Sequence, residues 1–209
     1  MFGNTISIAS RSRGVKRTLH VIEIWTKRGV HNMSVKTAAF GSWSSPISSK
    51  IVTGSSVQLL EVRTDVKNPS DVYWTEMRYD EGGRYVICKQ TTGQDGQSLA
   101  ITPDQFSART LVHEYGGGAF FVNDGKVYFS NFKDQRLYVQ KSEAGSTPVP
   151  ISPEDCGWRY ADGELNEKTG KIFCVREDHK SDTKEPVNTV ISLDLSTQKQ
   201  ILLVRFIIQ

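Results

Sequence analysis

The chain has 209 residues, of which 37% are hydrophobic and 23% charged, enough for one compact domain and neither a helical membrane protein nor a wholly disordered one. Its net charge of +3 is lopsided: residues 1–40 carry Arg11, Arg13, Lys16, Arg17, Lys27, Arg28 and Lys36 against Glu23 alone. The remainder is therefore slightly acidic, which argues against a folded surface that grips nucleic acid.

Residues 1–36 are rich in Ser, Arg and Lys and nearly free of acids. Two readings of this leader stand side by side. It suits a mitochondrial or chloroplast transit peptide, or it is non-coding sequence read in frame ahead of a true start at Met33 in a cytoplasmic protein. Leu19–Trp25 is too short, and too interrupted by His20 and Glu23, for a secretory signal.

From about residue 57 the chain becomes a succession of short β-prone runs separated by turn signals. Asp71–Arg78 alternates, and Asp80–Gly83 turns the chain into Arg84–Gln90. Ser98–Thr102 and Arg109–Tyr115 are expected strands, the second running into Gly116–Gly118 and then Ala119–Val122. Asn123-Asp124-Gly125 predicts a tight hairpin before Lys126–Asn131, since Asp-Gly tolerates positive φ. Arg136–Lys141, Trp158–Ala161, Lys171–Glu177, Val187–Leu195 and Gln200–Val204 continue the series, and no window has helical periodicity. Residues 205–209 follow as an anomalous apolar tail. The Gln200 to Gln209 stretch reads either as a closing strand or as a strand cut short, and the second is favoured because an unpaired apolar edge invites aggregation.

Cys88, Cys156 and Cys174 show no metal-type spacing. Cys88 and Cys174 sit in apolar runs, where a reduced thiol behaves as a small hydrophobe. No metal or cofactor site is expected. Trp74, beside Tyr73 in mid-strand, is expected in the core rather than in a lectin-like sugar site with Trp25, Trp43 and Trp158.

An internal repeat organises these strands. Units starting near Asp71, Lys126 and Lys171 each place an apolar strand, a polar turn and a second apolar strand. The fold expected is all-β, a partial β-propeller of about three to four blades over residues 37–204, with a sandwich or barrel as the competing arrangement.

Several stretches resemble one family. Thr37–Ile47 resembles the segment that opens the propeller of acylaminoacyl-peptidase-like proteins, and Arg109–Phe120 (RTLVHEYGGGAF) matches that family's propeller motif more sharply. Val127–Tyr138, Arg159–Asp162, Val175–His179 and Glu185–Asn188 continue it in order. The chain thus resembles the N-terminal, TolB-like β-propeller of the prolyl oligopeptidase family of serine peptidases. The resemblance implies a cap that admits short peptides to a Ser-Asp-His site in a separate α/β-hydrolase domain. No G-x-S-x-G nucleophile elbow is present: Gly96-Gln97-Ser98 lacks its second glycine and Gly54-Ser55-Ser56 has no such frame. The expectation is a truncated, non-catalytic fragment, inactive alone, with a stand-alone interaction module as the alternative.

Arg109, His113 and Glu114 are the candidates for gating a peptide, beside the structural motif Tyr115, Gly116, Gly117 and Gly118. The competing reading makes them a hydrogen-bonded turn with Glu114 paired to Arg109. Arg176–His179 is expected to be a solvated strand end, because neighbouring strand residues face opposite ways. Expected partners are a peptide substrate in the longer relative and a second copy across open blade edges.

Overall fold

A computed structural model describes residues 37–42, 45–53, 57–93, 98–154, 157–180 and 185–206. The leader at 1–36, Trp25, Trp43, Cys156 and the glycines at 54 and 96 lie outside the described residues. The chain divides into two units, Met1–Pro46 and Ile47–Gln209. In the first, the described residues form one turn, with the Ser42 N–H and Oγ both donating to the Ala39 carbonyl.

The second unit opens with a helical turn, α1 (Ser49–Thr53), and continues as twelve described strands. They form three four-stranded antiparallel sheets. Blade 1 is β1 (Val57–Thr64), β2 (Asp71–Arg78), β3 (Arg84–Thr91) and β4 (Leu99–Ala100). Blade 2 is β5 (Phe120–Asn123), β6 (Lys126–Ser130), β7 (Leu137–Lys141) and β8 (Val149–Pro150). Blade 3 is β9 (Trp158–Asn166), β10 (Lys171–Asp178), β11 (Val187–Asp194) and β12 (Gln200–Arg205). Each sheet is a simple meander, and β1, β5 and β9 lie side by side as the innermost strands. That is the arrangement of a partial β-propeller. The repeated units starting at Asp71, Lys126 and Lys171 are the two central strands of the three blades.

Period-2 alternation explains why the blades are apolar on both faces. In blade 2, Phe120, Val127, Phe129 and Tyr138 pack with Tyr73, Ile87, Ile101 and Ala108 from the blade 1 side. Their neighbours Phe121, Tyr128 and Leu137 pack with Tyr160, Ile172, Cys174, Ile191 and Leu193 of blade 3. Both cores therefore lie between sheets. The Phe121 ring stacks on Tyr128 with centroids 4.7 Å apart, and its edge occupies the space a Cβ at Gly163 would need.

Local chemistry sets the turns. Asn123↔Lys126 closes the β5–β6 hairpin, and Asp124 (φ 50°) and Gly125 (φ 68°) form the two-residue turn with positive φ that Asp-Gly predicts. The Asp65 carboxylate, on the loop after β1, accepts the N–H groups of both Asp124 and Gly125, clasping blade 1 to blade 2. It also accepts from the Lys67 N–H and Asn68 Nδ2. Burial alone would push this carboxyl up, but those four donors outweigh it and hold it below the usual range.

Three expectations need correction. Arg109–Tyr115 is not a strand: only Ala108 bridges to Asn131, and the chain then turns through His113 (φ 54°) and Glu114 (φ 61°). The N–H groups of Leu111, Val112 and His113 go to side chains, and others of this run to nearby loop carbonyls, rather than to a ladder. The Gln200–Val204 run forms the expected strand: β12 pairs with β11 from Gln200 to Arg205 as the fourth strand of blade 3. Trp74 is half-buried, its indole N–H donating to Glu76, because Tyr73 takes the inward position and consecutive residues cannot share it. Glu177 is buried rather than solvated.

Cys88 and Cys174 are buried and unpaired, as expected of small hydrophobes. Burial pushes both thiols up to about 12.

Candidate functional site

An antiparallel four-strand meander ends on the side where it began. The start of β1, the end of β12 and the blade-to-blade linkers therefore share one face of the sheets. The linker from blade 1 to blade 2, residues 101–119, crosses this face and carries all the candidate residues. It is built by side chains reaching in from the other two blades. Gln135, in the β6–β7 turn, accepts the Leu111 N–H through Oε1 at 2.8 Å. Arg159 of β9 donates from Nη1 to the Leu111 carbonyl at 2.9 Å, and Glu177 of β10 accepts the His113 N–H at 3.1 Å. Inside the loop the Gly116 N–H donates to the Val112 carbonyl and the Glu114 N–H to Leu111.

Two consecutive non-glycine residues in the left-handed region carry backbone strain, and this one is held by the surrounding contacts. The strain leaves His113, Glu114 and Tyr115 standing out, Tyr115 with 96% of its surface exposed. Arg109 lies elsewhere. Its guanidinium sits between the rings of Tyr85 and Phe132, 5.1 Å from each centroid. It makes no ion pair with Glu114, and its N–H groups have no hydrogen-bond acceptor among the described residues. His113 thus lies in a turn held through its N–H by Glu177, and Arg109 and Glu114 are not paired.

The glycine triplet has two uses. Gly116 (φ 89°) closes the turn. Gly117 and Gly118 let the linker touch blade 3: the Gly118 N–H donates to Asp162 Oδ1 at 2.8 Å, and the Asp162 N–H donates back to the Gly118 carbonyl at 2.8 Å. A Cβ on Gly118 would stand 2.7 Å from Asp162 Oδ1, and one on Gly117 2.9 Å from Oδ2. Asp162 (φ 54°) sits where the β9–β10 register shifts, a bulge that aims its carboxylate at the linker.

Beneath Tyr115 and Gly117 a cavity of about 230 Å³ reaches Arg109 and Glu61. Burial pushes the Glu61 carboxyl above its ordinary range, opposed by the Ala119 N–H and by Arg63, both of which donate to it at 3.0 Å. Arg63 in turn lies over the Phe120 ring.

Glu177 was missed by reading the sequence because Arg176–His179 looks like a charged strand end. Its side chain is only 4% exposed and lies 2.6 Å from His179 Nε2 and 3.6 Å from Arg159. No sequence signal separates it from its neighbours Arg176 and Asp178. Asp162 was legible only as part of the Arg159–Asp162 motif, without its role. Among the described residues no group of three or more His, Cys, Asp or Glu side chains is placed to hold a metal.

No family model and no curated protein sequence matches the chain. Solved structures do. Puromycin hydrolase superposes with a TM-score of 0.66 and 27% identity over 78% of this chain and 25% of its own. A puromycin-hydrolysing peptidase from Mycobacterium tuberculosis gives a TM-score of 0.66 and 29% identity over 81% of this chain and 28% of its own. The chain thus spans about a quarter of the length of the proteins it matches. Three meandering blades, the ordered motifs from Arg109 to Asn188 and these likenesses converge: the chain resembles the propeller portion of the prolyl oligopeptidase family of serine peptidases.

Proposed function

We propose that this chain is the non-catalytic propeller portion of a prolyl-oligopeptidase-like serine peptidase, where it controls which peptides reach a serine hydrolase site. The observation that carries this is the match of its blades to part of two puromycin-hydrolysing enzymes. The placement of the linker loop supports it: a domain joined before β1 or after β12 attaches on the face where His113, Glu114 and Tyr115 project. Folded proteins are kept out by the bulk of the blades, whereas an extended peptide offers its ends to the loop. Arg109 is the residue for a peptide carboxylate, because two aromatic rings fix its guanidinium and leave its donors unspent. The groups that would perform acyl transfer, a nucleophile with its base and oxyanion donors, belong in this reading to the hydrolase domain.

The test is direct. Purified chain is expected to leave aminoacyl and peptidyl coumarylamides intact and to take up no fluorophosphonate label. Turnover that a serine-directed phosphonate abolishes would overturn the reading.

A second reading, a stand-alone interaction module that pairs with another copy, is favoured by β12. Ile201, Leu202, Leu203 and Val204 are each about half exposed, an apolar edge that a partner would cover. Light scattering coupled to size exclusion separates the two. A defined, soluble dimer supports the module, and monomer with aggregate supports the peptidase portion.

A further inference from the structure

On the same face, but between blades 2 and 3, lies a separate cavity of about 550 Å³ that the gating loop does not use. Its walls are the β6–β7 turn, the linker entering β9 and the end of β10, and they carry Lys133, Arg136, Arg159, His179 and Lys180. Two acids line it as well. Asp134 is already occupied, accepting from Asn131 Nδ2, the Arg136 N–H and the Tyr138 hydroxyl. Glu154 is 77% exposed and only 3.8 Å from Arg136 Nη1. Glu177, behind the wall, is taken up by His179.

The two guanidiniums are held in place. Arg136 donates from Nε and Nη2 to the Ser152 carbonyl at 3.1 and 2.8 Å. Arg159 is fixed by the Leu111 carbonyl. The Lys180 stem lies across Gly157, where a Cβ would meet Lys180 Cγ at 2.6 Å, and its side chain lines the cavity. Neither Lys133 nor Lys180 has an acid partner within ion-pair range among the described residues. Trp158 forms an apolar wall, backed on one ring face by Arg176 at 4.2 Å. Two lysines without an acid partner, beside an aromatic wall and guanidiniums already held by backbone carbonyls, suit a carboxylate attached to an extended chain.

We infer that this cavity is an anion subsite that takes a carboxylate of a bound peptide, either its free C-terminus or an acidic side chain. The inference rests on the peptide-handling reading above and adds to it a preference in substrate class.

The experiment uses the full chain and four pentapeptides titrated by calorimetry: alanine-rich with a free C-terminus, the same amidated, and each with one central glutamate. The free-terminus or the glutamate peptide, whichever source the cavity takes, is expected to bind at least tenfold more tightly than the amidated alanine peptide. The gap is expected to narrow as salt is raised. The exposed double variant Lys133→Gln/Lys180→Gln is expected to remove most of that preference while keeping its thermal melting point. Equal binding of all four peptides, or an unchanged preference in the double variant, overturns the subsite and leaves the gating reading standing. If none of the four peptides binds, both fall.

Discussion

At Gly118 the space for a methyl group is already filled. Gly118→Ala would force its Cβ against Asp162 Oδ1, an atom fixed by its bond to the Gly118 N–H, so the neighbour cannot swing aside cheaply. The expected cost is about 1–3 kcal/mol, as for other overpacking changes, read as a lower urea midpoint with unchanged slope. Gly125→Ala meets no atom within 4 Å and suffers only from its positive φ, so its cost is expected to be the smaller of the two. The same residue scale shows what a sequence withholds. Gly116–Gly118 announced a close approach, but not to what, since Asp162 lies 44 residues further on. Glu177 was opaque for a plainer reason: burial of a charge depends on which strands surround it, and the local string Arg176-Glu177-Asp178 is the same whether wet or dry.

Among the elements, hairpins were the most legible, because turn residues and alternation act within a few positions. The Asn123–Gly125 turn and the strand pairs around Asp71, Lys126 and Lys171 needed no tertiary knowledge. The linker was the least legible. Arg109–Tyr115 has β-prone residues, yet side chains of Gln135 and Glu177 take the Leu111 and His113 N–H groups and hold a turn. Tertiary capture of that kind overrides local preference. The loop after β1 offers a check on how blades are joined. Asp65 is 1% exposed and serves donors from both blade 1 and blade 2, so Asp65→Ala strands the Asp124 and Gly125 N–H groups together. A loss of about 1–2 kcal/mol is expected for two half-buried hydrogen bonds left unmade, measured by chemical denaturation. Asp65→Asn, which keeps one acceptor oxygen, is expected to lose less.

For the molecule as a whole, acid is the informative variable. Asp65, Asp71, Glu76, Glu81, Glu167 and Asp194 all have carboxyls held below their ordinary range, Asp194 at about 2 by the Ser196 hydroxyl and the Thr197 N–H. A carboxyl that is more acidic folded than unfolded contributes fully above its unfolded value, near 4, and loses that contribution as pH falls through the folded value. Glu61 has the opposite sign: burial raises it, so its proton is held more tightly in the folded chain and its contribution appears only on acidification. Six against one among the described residues, the expected outcome is a free energy of unfolding that declines steadily from about pH 5 towards pH 2. A denaturation series that rose over that interval would show that Glu61-like groups dominate.

Because both apolar cores are seams between sheets, the count of seams is what scales with size. Three sheets in an arc enclose two seams, those centred on Phe120 and on Phe121. Each further sheet docked at an end adds one seam for its own four strands. The sheet that finally meets the first brings two, the second of them without any new strand. Joining the ends is thus the most favourable step in the series, and the terminal sheets, each resting on a single neighbour, are where hydrogen exchange should begin.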